Sequence, residues 1–334
     1  MRLRTPYLLF LGDAPDMLAA KVARGVADWR PEHALGQLRL PGCAADVGAP
    51  DMSVAEAAAA GAQTLVVGVA NRGGVISQAW LPTLLAAIEA GMDVAAGLHA
   101  RLSDMPELAA AAARHGRRLH DVRHSDETFA VGTGAPRRGK RVLGVGTDCS
   151  CGKMYTALAL EKGLRAAGAS ADFRATGQTG IFIVGAGVAI DAVVADFISG
   201  AVEAVAPGAE AETHWDVVEG QGSLFHPSFA GVSAGLIHGA QPDALVLCHE
   251  PTRTHMRGLP DFPIPDLKSC MALNLELARL TNPAARFVGA AVNTAALDAE
   301  GARAATARVA DEIGLPAVDP VRDGVAPLVA ALLA

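Results

Sequence analysis

Between Gly146 and Tyr155 the chain reads GTDCSCGKMY, and these residue types suit the gripping of a phosphate. Gly146 and Gly152 let the backbone curl so that successive N–H groups can converge on one anion. Lys153 adds a full positive charge, and a helix beginning there adds the positive end of its dipole. Thr147, Asp148, Cys149, Ser150 and Cys151 fill the loop, and Met154 and Tyr155 open the helix. Six residues lie between Gly146 and Lys153, more than in the common Walker spacing. A hydroxyl that holds Mg²⁺ ordinarily follows the lysine, but Met154 stands there. A thioether is a poor ligand for a cation that prefers hard oxygen. Thr156 lies further along, about 200° round the helix, and does not replace it. The run therefore predicts a phosphate grip with no metal. That disfavours ATP hydrolysis and favours a phosphate-bearing co-substrate such as coenzyme A. The plainer alternative is a tight strand–helix turn with an exposed lysine.

Three groups could act as a general base. Glu219, in VVEGQGSLFHP, and His249, in DALVLCHEP, stand at the ends of apolar strands, where partial burial tunes a carboxylate or an imidazole. Asp148, inside the loop, could act as base or brace the loop backbone. A thiolate at Cys149 or Cys151, beside Lys153 and a helix N-terminus, offers a covalent route. Small residues filling a tight loop explain the same cysteines more simply. Glycine-bearing turns supply further donors: Asn71, Arg72, Gly73 and Gly74; Gln178 and Thr179; Gln221, Gly222 and Ser223. They fall near probable strand ends, where ligands of open α/β sheets collect. His226, His238, His249 and His255 form no helical metal-binding pair, and no metal is expected.

These residues need elements to hold them. Strands are expected at Tyr7–Leu11, Thr64–Val69, Met92–Ala96 and Leu119–Val122, and helices at Met17–Asp28, Ser53–Ala60, Leu81–Ala90 and Met105–His115. Such alternation implies a parallel sheet covered on both faces. Residues 124–140 lose the periodicity and become rich in Gly, Thr, Pro and charge, which marks a boundary. The alternation restarts with strands at Arg141–Val145, Phe173–Ala175, Trp215–Val218, Ala244–Cys248 and Phe287–Val292. Helices accompany them at Lys153–Ala167, Asp266–Leu280, Arg303–Ile313 and Val325–Leu333. Asp191 and Asp196 begin and punctuate a further apolar helix, as caps or surface groups. The expected architecture is α/β: two doubly wound parallel-sheet domains, 1–124 and 141–334, joined by a linker at 125–140.

Composition narrows the partners. The chain has 334 residues, 51% hydrophobic and 19% charged, enough for two cores. A net charge of −7 argues against general nucleic-acid binding, and the basic stretch Arg137–Arg141 reads as a solvated linker. No apolar run reaches the length of a membrane helix. The opening MRLRTPYLLFLGDAPD is too short in its apolar core for a signal peptide and reads as a first strand. Cysteines 43, 149, 151, 248 and 270 give no even disulfide framework, which fits a reducing, cytoplasmic setting. Abundant Ala and Gly allow close packing between helices, and a homo-oligomer is expected.

GTDCSCGK is similar to the loop of dethiobiotin synthetase and its P-loop relatives at Gly146, Thr147, Asp148, Gly152 and Lys153. VVEGQGSLFHP resembles that enzyme's second acidic motif, whose glutamate, here Glu219, approaches Mg²⁺ and phosphate. A wider resemblance covers nearly the whole chain. GVANRGGVISQAW, AGLHARLSD, DVR, GTDCSCGKMYTALAL, RATGQTGI, DAVVADFISGAVE, EGQGSLFHP and HEPTRTHMRG together resemble the D-glutamate N-acetyltransferase family, long catalogued as a domain of unknown function. Met154 belongs to that family's pattern. The resemblance implies a Rossmann-like domain followed by a P-loop NTPase-like domain, and acetyl transfer from acetyl-CoA to the amine of D-glutamate. Arg72 and Arg253, with Arg257 third, would then pair the two carboxylates. Two alternatives remain: an ATP- and Mg²⁺-dependent ligase or kinase of the dethiobiotin synthetase type, and a nucleotide-binding regulator without turnover.

Overall fold

The computed structural model describes residues 1–334 apart from Leu18, Arg72, Ser125 and Asp126, so the expectation for Arg72 lies outside the described residues. Most strands are apolar on both faces rather than alternating. YLLFLG, TLVV, WDVV and nearly all of KRVLGVG are buried residue after residue. That pattern belongs to parallel strands with helices on both sides.

The chain forms two units, Met1–Glu127 with Gly177–Ala192, and Thr128–Thr176 with Val193–Ala334. The sequence reading kept 177–192 with the second domain; the structure packs it in the first. In unit 1 the order is β1 (Tyr7–Gly12), α1 (Lys21–Trp29), β2 (Ala34–Arg39), α2 (Val54–Ala59), β3 (Thr64–Val67), α3 (Leu81–Glu89), β4 (Asp93–Ala96), α4 (Pro106–His115) and β5 (Leu119–Asp121). The strands are parallel in the order β2-β1-β3-β4-β5, so the winding reverses between β1 and β3. Trp80 anchors the core, edge-on to Phe10 and donating from Nε1 to Asp13 at 2.8 Å.

Unit 2 opens with β6 (Lys140–Gly146), α5 (Lys153–Ala166) and β7 (Ala171–Arg174). Helix α6 (Gln178–Val184) then joins unit 1, with Thr179 and Ile183 against Gly25 of α1. Unit 2 continues with α7 (Ile198–Val205), β8 (Trp215–Val218), α8 (Ala230–Ala240), β9 (Ala244–His249), β10 (His255–Met256), β11 (Leu259–Pro263), α9 (Leu267–Arg279), β12 (Arg286–Val292), α10 (Ala299–Ile313), β13 (Ala317–Val318) and α11 (Ala326–Leu333). Its parallel sheet runs β13-β12-β9-β6-β8-β7, which puts β6 between β9 and β8. Strands β10 and β11 form a separate antiparallel pair.

Several elements differ from expectation for identifiable reasons. Strand β2 was not anticipated because ALGQLR carries a buried polar residue; Gln37 is satisfied by Asp46 and the Val47 N–H. Helix α8 was missed because its glycines lower helix propensity. Two of them let α7 come close: a Cβ on Gly239 would lie 2.4 Å from the Ser199 carbonyl oxygen. Helix α10 starts at Ala299, earlier than expected, because Asp298 caps it through the Gly301 N–H at 2.7 Å. Asp191 and Asp196 fall in short 3₁₀ turns before α7, and Asp191 pairs with Arg123. The basic stretch is only partly solvated: Arg138 and Lys140 are exposed, whereas Arg137 and Arg141 are not. Arg137 donates to the Gly239 and Ala240 carbonyls at the end of α8, and Arg141, 4% exposed, donates to the Gln241 carbonyl. Cations there complement the carbonyl end of the helix.

Candidate active site

The loop between β6 and α5 is the centre of unit 2. Ser150 (φ 52°) and Gly152 (φ 104°) are left-handed on either side of Cys151. Alternation of that kind turns successive N–H groups toward one point. Lys153 sits at the start of α5, 6% exposed, and folds back onto its own loop. Its Nζ donates to the Asp148 carbonyl at 2.8 Å and approaches Cys151 Sγ at 3.5 Å. Burial works against the ammonium, but the sulfurs of Cys151, Cys248 and Cys149 outweigh it, and its pKa lies above the ordinary value. Gly220, after β8, allows this arrangement. A Cβ there would lie 1.8 Å from the Gly144 carbonyl oxygen and 2.9 Å from Lys153 Cδ.

A hydrogen-bonded brace holds the loop from outside. Asp148, 1% exposed, accepts from the Cys149 N–H through Oδ1, and from Arg253 Nη1 (2.7 Å) and the Arg257 N–H (2.9 Å) through Oδ2. Arg253 also donates to the carbonyls of Cys149 and Ser150 and pairs through Nε with Glu250. Four of its five donors are thus engaged, so in this state it braces the loop instead of offering a fork to a carboxylate. Glu219, 3% exposed, accepts the Thr176 N–H at 3.0 Å, while Thr176 Oγ1 donates to the Glu219 carbonyl. Gln221 donates to Thr176 Oγ1, and Ser233 donates to the Gln221 carbonyl. Ser223 Oγ accepts the Phe225 N–H, and Gly222 (φ 63°) turns the chain between Gln221 and Ser223. These residues form one braced turn beside the loop.

His249 ends β9. Its Nδ1 lies 3.1 Å from Thr147 Oγ1, at the root of the loop. Burial lowers its pKa, so it is neutral at neutral pH. In the tautomer whose Nδ1–H donates to Thr147, Nε2 carries the lone pair, the form a general base needs. Cys149 behaves otherwise than its position suggested: burial outweighs Lys153 and raises its pKa, leaving a thiol. Cys248 and Cys270 are pushed up to about 12 by burial, and all five cysteines are free.

The loop does not offer a Mg²⁺ site of the P-loop kind. Thr156 Oγ1 donates back to the Gly152 carbonyl at 3.0 Å, and Met154 supplies no oxygen. Asp148, Cys149 and His226 do bring ligand atoms within 4.8 Å of one another, a convergence that spacing did not reveal. Two of the three groups already hold protein partners. His226 Nδ1 accepts the Ser228 N–H, its Nε2 faces the Arg257 carbonyl at 3.4 Å, and Asp148 holds Arg253. Beside the loop a cavity of about 300 Å³ is walled by Gly152, Tyr155, Asn293, Pro320, Val321 and Arg322. Apart from Gly152 and Tyr155, sequence reasoning had not singled these out; the signal was the strand end AAVNT followed by the turn DPVRD.

The remaining candidates fall in unit 1. Asn71 closes a turn after β3, donating to the Val75 carbonyl and accepting its N–H. Gly73 and Gly74 are both left-handed, and the Gly74 carbonyl accepts the Ala100 N–H after β4. Gln178, at the start of α6, lies against Gly97 at the carboxyl end of β4, and its buried Oε1 makes no hydrogen bond. Asn71, Gly73, Gly74, Gln178 and Thr179 thus belong to one unit, and Gln221, Gly222, Ser223 and Arg253 to the other.

The model of the DUF1611 P-loop domain, a domain of unknown function, matches residues 128–329, and that of the Rossmann-like DUF1611 N-terminal domain matches 38–125. The chain belongs to the DUF1611 family. It is similar to a solved DUF1611 family protein from Anabaena variabilis, with TM-score 0.83 and 33% identity over 98% of this chain and 99% of that one. Two relatives match over 99% of this chain and at least 99% of their own. One, from Tritonibacter scottomollicae, is 57% identical; the other, from a Pseudoalteromonas species, is 52% identical. Both are named D-glutamate N-acetyltransferase. The two DUF1611 domains account for the paired α/β units, and the P-loop domain carries the 146–153 loop.

Proposed function

We propose that this chain is a D-glutamate N-acetyltransferase that takes its acetyl group from acetyl-CoA. Full-length identity of 57% to a relative of that name carries the reading. The loop supports it, because a lysine with convergent N–H groups suits the phosphates of a CoA ester. The missing hydroxyl after Lys153 removes the Mg²⁺ ligand that an ATP-dependent ligase needs. The cavity beside Tyr155 and Arg322 suits the nucleoside part of the same co-substrate.

Of the three base candidates, His249 is favoured. Asp148 and Glu219 each bind backbone N–H groups through their carboxylates, which makes them positioning residues. The amine of D-glutamate loses a proton to His249 Nε2 as its nitrogen bonds to the thioester carbon. The C–S bond then breaks, and the proton passes to the departing CoA sulfur. The raised thiol pKa of Cys149 favours this direct attack over an acetyl-cysteine intermediate. Release of CoA thiol from acetyl-CoA, measured across D- and L-amino acids with EDTA present, tests the reading. Thiol release with D-glutamate is expected. Release with no amino acid, or only with added ATP and Mg²⁺, contradicts it.

A further inference from the structure

Unit 1 holds a second concentration of charge, at the opposite end of its sheet from the turns that follow β3 and β4. A cavity of about 330 Å³ is lined by Arg2, Arg4, Asp93, Arg117, Arg118 and His120. Asp93 opens β4 and Arg118 precedes β5, so the cavity lies at the amino ends of these strands. The only acid among these six is already committed: Asp93 Oδ2 accepts Arg4 Nε at 2.9 Å and Oδ1 accepts the Arg118 N–H at 2.9 Å. Arg117 donates to the neutral carbonyls of His115 and Gly91, which leaves its charge uncompensated. Among the described residues, the guanidinium groups of Arg2 and Arg118 make no hydrogen bond or ion pair. His120 is 8% exposed, and its Nε2, 3.7 Å from Asp93 Oδ2, has no hydrogen-bond partner.

Ordinary helix capping does not account for this. Arg117 complements the carbonyl end of α4, but Arg2 and Arg118 do not bond to it. Three uncompensated guanidiniums around one small cavity repel each other, in a chain whose net charge is −7. An anion with two charged oxygens relieves that repulsion and uses the planar fork of each guanidinium.

We propose that this pocket binds a small anion carrying at least two negative oxygens, either an oxyanion of the phosphate type or a short dicarboxylate. The proposal stands independently of the acetyltransferase reading. The one carboxylate in the pocket, Asp93, is already held by Arg4 and the Arg118 N–H, so the pocket's surplus charge is positive and favours dicarboxylates without an amine. The product of the proposed reaction is one such molecule.

The test uses the full chain, with selenate and glutarate as probes at constant ionic strength. A crystal soaked in selenate is expected to show an anomalous peak between Arg2, Arg118 and His120. Calorimetric titration is expected to show affinity falling ~10-fold or more in the Arg2→Ala, Arg118→Ala double variant. Lys153→Ala, in the phosphate loop, leaves this binding in place. Glutarate binding more tightly than selenate identifies an organic dianion as the natural class, and the reverse identifies an oxyanion. The proposal is overturned if no peak forms, if the double variant binds as well as the parent, if only Lys153→Ala removes binding, or if acidic side chains of a second copy fill the pocket.

Discussion

At the scale of single residues, Thr147, His249, Asp148 and Arg253 separate into two tasks. Thr147 orients the imidazole, its hydroxyl lying 3.1 Å from His249 Nδ1. His249→Gln removes the base and is expected to lower kcat by roughly 10²–10⁴-fold with little change in acetyl-CoA affinity. Because burial lowers the His249 pKa, the neutral base persists below the ordinary value of 6.5. The acid limb of kcat/KM is therefore expected below pH 6.5 and should vanish in His249→Gln. An acid limb that survives the substitution assigns the base elsewhere. Arg253 and Asp148 hold the loop's shape. Arg253→Ala leaves a carboxylate, 1% exposed, without its cation and is expected to cost about 1–3 kcal/mol in chemical denaturation and to raise KM for acetyl-CoA. Arg253→Lys is not expected to restore either, because an ammonium cannot reach Asp148, Glu250 and two loop carbonyls together.

At the scale of elements, contacts that sequence periodicity does not register decide the packing. The strands β1, β3, β4, β6, β8, β9 and β12 were legible because long apolar runs leave few other uses for themselves. Helix α8 was hidden because its glycines serve the approach of α7, a tertiary reason that overrides local propensity. The two effects can be separated by experiment. Gly239→Ala adds a Cβ 2.4 Å from the Ser199 carbonyl oxygen and is expected to destabilise by about 1–3 kcal/mol. Gly231→Ala, on the same helix with nothing within 4 Å, is expected to stabilise by up to about 1 kcal/mol. Equal effects in denaturant titrations contradict that account of the helix. The turn from β6 into α5 at 146–153, within the P-loop domain, was legible from glycine and lysine spacing. The Arg253 brace was not, because it joins residues 105 apart in the chain. Arg253 itself was singled out, but for a ligand's carboxylates rather than for the loop.

At the scale of the whole molecule, the two sheets show the same physics twice: buried parallel strands with polar turns at their carboxyl ends. Placement of 177–192 in the first unit makes the chain's order in space differ from its order in sequence. Gln178 and Thr179 therefore serve unit 1, although they follow β7 directly. No helix among the described residues is long and apolar enough to cross a membrane. The central claim is that the loop at 146–153 grips acetyl-CoA without a divalent cation. Its most direct measurement is calorimetric titration of acetyl-CoA into the full chain in EDTA, repeated with Lys153→Ala and with ATP plus Mg²⁺. The account predicts saturable acetyl-CoA binding in EDTA, its loss in a still-folded Lys153→Ala variant, and no comparable binding of ATP with Mg²⁺. Undiminished acetyl-CoA binding by Lys153→Ala, or binding that appears only when Mg²⁺ is restored, contradicts it.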